Sequence, residues 1–494
     1  MPKGKQIFYS ALMLTGVNLL LRFVGTSFQV YLSGRIGAAG IGLVQLVMSV
    51  GSLVMVAGMG GIRTGTMYLT AEELGKKRPQ NVTWVLSSCF LYSIAFSSCI
   101  SVLLYIFAPQ IAERWIGDIR TLPALRLYGA FLPCICLCGV MTGYFTAANR
   151  IGTLAAVEVA EQLISMVITI SALNLWGGHD SIKACLCVIL GSSLGGCLTL
   201  CCLIILRLRE RPKTGHRIPV ARRLQQTALP LAVADDLRTG ISTVENLMVP
   251  KRLALCSLVE DPLAAFGTVS GMVFPVLMFP ACILYGLAEL LIPELARCSA
   301  AESRSRICYL VRRSLKVAML YGILFCGLVY LLAQELCLTL YQSQDAGGYL
   351  RLYALLIPIL YCDAITDAMI KGLGQQKICV RYNIFTNILD VVFLYLLLPK
   401  FGMMGYFFSF LVTHLLNFIL SLRRLLKITE EHIPFTIPLI SITAMGVAIW
   451  AASYGGNPVL QAVAYPIVLG CLLFMAGIMS AEDIRWLKNL ITRQ

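Results

Sequence analysis

Charge is scarce in this sequence: 13% of its 494 residues are Asp, Glu, Lys or Arg, while 58% are hydrophobic. So few charges cannot cover a water-soluble core of this size, which excludes an ordinary globular protein. Histidine is scarcer still, with four residues, His179, His216, His414 and His432, far apart in the chain. No Cys/His group has zinc-ligand spacing in a loop, so neither a structural metal nor a cofactor is expected. No GxxxxGK[ST] run occurs, which excludes an integral P-loop ATPase. No long polar stretch interrupts the apolar runs, leaving no room for the soluble domain or long acidic loop of a membrane glycosyltransferase or polymerase. The first run lacks an A-x-A-like cleavage site after it, so it reads as a retained span, with Met1 as the start of the mature chain.

What the sequence does have is apolar length. Mean hydropathy is +0.79, and runs of about 20 residues, enough to cross a hydrocarbon layer of about 30 Å, recur from Ile7 to the neighbourhood of Ser480. Breaks at Gly, Pro and charged residues give about fourteen transmembrane helices. In the first half they lie near 7 to 33, 41 to 70, 82 to 108, 122 to 147, 154 to 176 and 182 to 206. In the second half they lie near 224 to 250, 265 to 294, 309 to 334, 348 to 372, 379 to 399 and 403 to 422. Two more, near 435 to 454 and 459 to 480, end the chain. The nineteen cysteines, Cys134, Cys136 and Cys138 among them, mostly fall inside these spans and read as small core residues. Loops on the side of the termini carry about 27 basic residues against about 8 on the other side, which places both termini in the cytoplasm. The same asymmetry accounts for the formal net charge of +15, so no nucleic-acid partner is expected.

The chain repeats itself. Leu125-Arg126-Leu127-Tyr128-Gly129-Ala130-Phe131-Leu132-Pro133 recurs as Leu350-Arg351-Leu352-Tyr353-Ala354-Leu355-Leu356-Ile357-Pro358. These are the starts of spans 4 and 10. Arg22, Arg35 and Gly42-Leu43-Val44 are weakly echoed by Arg238, Arg252 and Gly267-Thr268-Val269. Six spans separate the copies, an even number, so the expected architecture is all-α: two six-helix bundles related by a pseudo-two-fold axis along the membrane normal, plus two C-terminal helices. The expected divisions are 1–210 for the first bundle, 211–223 for a basic cytoplasmic linker, 224–427 for the second bundle, and 428–494 for the extra pair and tail.

Charges inside spans are costly unless they face water, a partner or a ligand, and they therefore mark candidate sites. Arg22 in span 1, Arg63 in span 2 and Arg238 in span 7 would make a cationic cleft, where guanidinium forks suit the acceptors of a diphosphate. Structural pairing of Arg238 with Asp235 or Asp236 is the competing reading, and for Arg63 it is snorkelling to lipid phosphates. Asp235, Asp236, Glu245, Glu161, Asp363, Asp367 and Asp390 are candidates for binding a coupling H⁺ or Na⁺, or for internal pairing. Asp363, Asp367 and Lys371 recur every four residues, and Asn383, Asn387 and Asp390 form a polar stripe that could equally cement helix packing.

Several segments together resemble polysaccharide-export flippases of the stage V sporulation protein B type. These are Gly16-Val17-Asn18-Leu19-Leu20-Leu21-Arg22-Phe23-Val24-Gly25; Gly143-Tyr144-Phe145 with Glu161-Gln162; Glu245-Asn246-Leu247-Met248-Val249-Pro250-Lys251-Arg252-Leu253; Leu291-Ile292-Pro293-Glu294-Leu295; and Pro399-Lys400-Phe401-Gly402. The resemblance implies the multidrug/oligosaccharidyl-lipid/polysaccharide exporter fold, two six-helix lobes and two extra helices, in a bacterial cytoplasmic membrane. It implies a monomeric transporter, not an enzyme, whose partners are a lipid-linked sugar and the surrounding membrane lipids. Lipid II flippases are more distant. Their first-span arginine matches Arg22, their second falls here on Phe28, and their span-8 arginine has no counterpart near Pro275 to Pro280. A drug/cation antiporter of the same superfold is the transport alternative, and it predicts an acid-lined cleft.

Overall fold

A computed structural model describes residues 3–76, 78–177, 181–209, 221–430 and 436–479. Most of the expected linker and the tail from 480 onward lie outside the described residues, as do His179, His216 and His432. Among the described residues every regular element is helical. Ten stretches are long and apolar enough to cross a bilayer, and Pro262–Met278 with Ala281–Ala300, bent by 61°, makes an eleventh. One of the ten, Leu19–Gly75, holds two spans, because helix Lys3–Met59 is broken at Gly37, whose φ of 69° and ψ of 178° glycine reaches without a Cβ clash. Ala221–Leu253 is diluted by Asp235, Asp236, Arg238 and Glu245, and Ile437–Ser453 is short, but each stands where the hydropathy pattern places a span. The fourteen expected spans are thus all present.

Packing divides the chain into two compact units: Met1–Gly271 with Val391–Gly405, and Met272–Asp390 with Tyr406–Gln494. The units part within spans 8, 11 and 12.

In the first unit the core lies among spans 2, 3, 4 and 6, where Ile62, Leu69, Val85, Cys89, Val140, Phe145 and Leu203 are buried together. Span 2 is broken a second time at Gly60 and Gly61, both with positive φ, and resumes as Ile62–Gly75. The closest helix crossing joins span 2 to the first part of span 8. A Cβ on Gly42 would lie 2.4 Å from the Leu263 carbonyl oxygen, and one on Gly267 2.0 Å from that of Ala38. Ala38 and Gly42, like Gly267 and Gly271, follow the small-xxx-small spacing that lets backbones meet. Gly42 and Gly267 stand 225 positions apart, as do Leu125 and Leu350, so the repeated elements meet at equivalent positions.

In the second unit span 8 turns at Phe279 and Pro280. Two phenols from neighbouring helices satisfy carbonyls at the bend: Tyr321 Oη donates to Pro280 O at 2.8 Å and Tyr361 Oη to Leu277 O at 2.9 Å. The two extra helices, Thr436–Ser453 and Pro458–Met475, pack on Arg304–Tyr341. Tyr465 is fully buried there, donates to Ile323 O at 2.8 Å, and fills the space over Gly327.

Candidate functional site

The two units handle intramembrane charge differently. In the first, span 1 packs on span 5. The Gly25 position lies 3.9 Å from Gln162 Nε2, and Arg22, three residues earlier, shares that face of its helix. On span 5, Glu158 lies one turn before Gln162, again on one face. The charged neighbour of Glu158 is Arg63, from the first turn after the glycine break of span 2. Arg22 and Arg63 therefore address the same side of span 5. Both are exposed, and among the described residues neither makes a salt bridge within 4 Å. Glu161 faces span 6, its Oε1 4.0 Å from the Gly196 position, at the contact between spans 5 and 6.

Span 7 meets span 2 through Gly240, beside Leu53, and through Ser49: Thr243 Oγ1 donates to Ser49 O at 3.1 Å and Asn246 Nδ2 to Ser49 Oγ at 3.1 Å. At 100° per residue Asp236 shares this contact face, and it is half-buried with one carboxylate oxygen unpartnered. Arg238 falls on the other side, exposed, and pairs with neither Asp235 nor Asp236 among the described residues. Asp235 is exposed and Glu245 half-buried. Arg238 thus lies on the face of span 7 turned away from its contact with span 2. At the end of span 7, Arg252 clamps span 11 by donating to Tyr395 O at 2.8 Å while lying 3.6 Å over the Tyr395 ring.

In the second unit three acids are held by uncharged groups. Asp363, 8% exposed, accepts from Asn417 Nδ2 at 2.9 and 3.1 Å and faces His414 Nδ1 at 3.5 Å. Asp367 accepts from Asn383 Nδ2 at 3.0 Å and from Ser421 Oγ at 3.2 Å. Asp390 accepts from Ser409 Oγ at 2.5 Å and Thr413 Oγ1 at 3.1 Å. Lys371, one turn after Asp367, is exposed and among the described residues makes no salt bridge with it; Asp367 turns to an amide and a hydroxyl instead. All three acids bond to span 12, at Ser409, Thr413, Asn417 and Ser421, which repeat every four residues and are all buried. Glu294 has a different environment: it pairs with Arg306 at 2.7 Å, and with Arg297 at 3.8 Å, among side chains more than half exposed.

Residues 15–177 and 252–396 match the MatE family, more than half of the chain. The chain belongs to the MatE family. A relative, stage V sporulation protein B of Bacillus subtilis (strain 168), is 21% identical over 415 residues, 81% of this chain and 80% of its own length. Among solved structures, the lipid II flippase MurJ in an inward closed conformation superposes with a TM-score of 0.71 at 15% identity, covering 93% of this chain and 98% of that one. A multidrug resistance MATE family transporter of the MOP superfamily, in an inward-facing conformation, gives 0.66 at 15% identity, covering 85% and 100%. The structural likenesses establish the fold, and the family match with the apolar helices makes the chain a multi-pass membrane protein of the MatE family.

For this MatE-family chain, sequence reasoning found the arginines and acids but missed the span-12 partners. Their signal was present in the four-residue recurrence of Ser409, Thr413, Asn417 and Ser421. Such hydroxyls and amides are common helix-packing residues in spans, so nothing but contact with the acids distinguishes them.

Proposed function

We propose that this protein is a flippase for a lipid carrying a diphosphate-linked sugar, moved across the bacterial cytoplasmic membrane by alternating access with both termini in the cytoplasm. The observation that carries this reading is that Arg22 and Arg63 face the same side of span 5 and, among the described residues, make no salt bridge. Two guanidinium groups without a bonded acid, within membrane-spanning helices, are retained at a cost of several kcal/mol unless an anionic ligand or water meets them, and a diphosphate offers both with matched geometry. Arg238, exposed on span 7, would contact the cargo at a second point. An ion gradient acting on Asp363, Asp367 or Asp390 would supply the drive; one charge moved through 100 mV is worth about 2.3 kcal/mol.

The drug/cation antiporter reading is favoured by Glu158 and Glu161, which lie on the same span as the arginine-facing surface. Proteoliposomes separate the two. With labelled undecaprenyl-diphosphate sugars, wild type should flip and Arg22→Ala, Arg63→Ala and Arg238→Ala should slow. Variants as fast as wild type would remove the arginine mechanism, and uptake of a drug cation in place of the lipid would install the antiporter.

A further inference from the structure

We infer that each unit carries a binding site for the phosphate of an anionic phospholipid, built from an arginine laid on a tyrosine: Arg126 with Tyr105 in the first unit, Arg351 with Tyr330 in the second. These arginines are not those of the proposed cargo site, and the inference stands without the flippase reading. Arg126 Cζ lies 4.8 Å from the Tyr105 ring centroid, and Arg351 Cζ 4.6 Å from that of Tyr330. Both members of the pair recur 225 positions later, the offset that relates Leu125 to Leu350 and Gly42 to Gly267. The apolar stretches that hold the arginines start at Ile119 and Gln344, so each arginine stands seven residues in, about 10 Å along its helix. Spans 4 and 10 both begin at the membrane face opposite the termini, and that depth is where head groups meet acyl chains.

The surroundings of each pair are lipid-like. Tyr105 is exposed together with Val102 and Ile106, which share its helix face. Arg351 is exposed with Leu355, one turn further on. Exposed apolar side chains on a span are turned to acyl chains, and the exposed Trp115 at the same end of span 3 marks the level of the head groups.

A staple between two helices does not need a charge, since an apolar side chain would pack on either tyrosine without the desolvation a guanidinium costs. The ring face supplies only part of a counter-charge. Among the described residues neither arginine makes a salt bridge or a hydrogen bond, and Asp118, the acid nearest Arg126 in sequence, is taken by Arg120. Stacking occupies the face of the guanidinium and leaves its in-plane N–H groups to donate. The Nε of Arg126 is buried without a partner, so an acceptor has to come to the terminal Nη groups. Their fork matches the two non-bridging oxygens of a phosphodiester. A zwitterionic head group brings its own ammonium to compete for those oxygens; the head group of phosphatidylglycerol does not. The tyrosine holds the side chain in place beforehand, which reduces the ordering cost of binding.

The test is native mass spectrometry of the full-length protein with phosphatidylglycerol, with diacylglycerol of the same chains as the uncharged comparison. Wild type should bind two molecules of phosphatidylglycerol at least about tenfold more tightly than diacylglycerol. Arg126→Ala and Arg351→Ala should each remove one of the two, and the double variant should bind both lipids alike. Equal binding of the two lipids by wild type overturns the inference without any variant having to fold. An undiminished preference in the double variant overturns it as well, and makes the pairs helix staples. Soluble glycerol phosphate separates a lipid site from a free-phosphate site: it should fail to displace phosphatidylglycerol at equal concentration, and displacement would overturn the lipid assignment.

Discussion

Among the described residues, Arg22, Arg63 and Arg238 of the first unit make no salt bridge, whereas the second unit surrounds its buried acids with donors. Arg22 and Arg63 face one side of span 5 and make no salt bridge among the described residues, Glu158 being the charged neighbour of Arg63; Asp363, Asp367 and Asp390 each find an amide or hydroxyl on a neighbouring span. A charge satisfied by its own chain contributes to folding, and a charge left open is available to a ligand. Under the proposed function, cargo recognition falls to the first unit and ion handling to the second.

Four substitutions sharpen or break that division, in decreasing order of effect. Asn417→Ala removes the two-point donor to a buried carboxylate and should lower unfolding stability by about 3 kcal/mol, read as a lower Tm in detergent; an unchanged Tm would show that Asp363 needs no internal donor. Gly327→Ala places a methyl 2.1 Å from the Tyr465 ring and should cost about 1 to 3 kcal/mol through displacement of the C-terminal helix pair, with faster proteolysis near residues 454–458 as the check. Arg22→Ala should leave Tm within about 0.5 kcal/mol of wild type while slowing flipping about tenfold, equivalent to about 1.4 kcal/mol; the opposite pattern would make Arg22 a structural residue. Asp118→Asn should do least. The hydrogen bond from Arg120, aided by its charge, holds the Asp118 carboxyl below its ordinary value of 3.8. That contribution is therefore present above the ordinary value and is lost only as pH falls through the lowered one. At neutral pH the variant should differ from wild type by under about 1 kcal/mol, measurable by denaturant unfolding at pH 7 and pH 3.

Much of the fold was legible because lipid imposes a length on every span, and Gly37, Pro280 and the basic loops punctuate those lengths. The repeat was legible through Leu125-Arg126-Leu127-Tyr128 and its copy, and the faint echo of Gly42 in Gly267 acquires a physical meaning because those two backbones touch. The site was half legible. Arginines in apolar surroundings stand out in any sequence, but which of them share a surface depends on the rotation of each helix. Arg238 stands two residues before the glycine that meets span 2, a difference that spacing alone could not turn into a direction. The stripe of Asn383, Asn387 and Asp390 had two readings, and Asn383 and Asp390 are found bonded across helices. The partners on span 12 stayed hidden because a serine or threonine in a span acquires meaning from what it faces.

Binding in nanodiscs of an undecaprenyl-diphosphate sugar, against the same sugar on uncharged undecaprenol, measures the claim at its centre. Wild type should hold the diphosphate lipid at least tenfold more tightly than the neutral one, and the Arg22→Ala/Arg63→Ala double variant should hold the two alike. Equal preference for the diphosphate in both proteins would show that the arginines facing span 5 do not receive the head group.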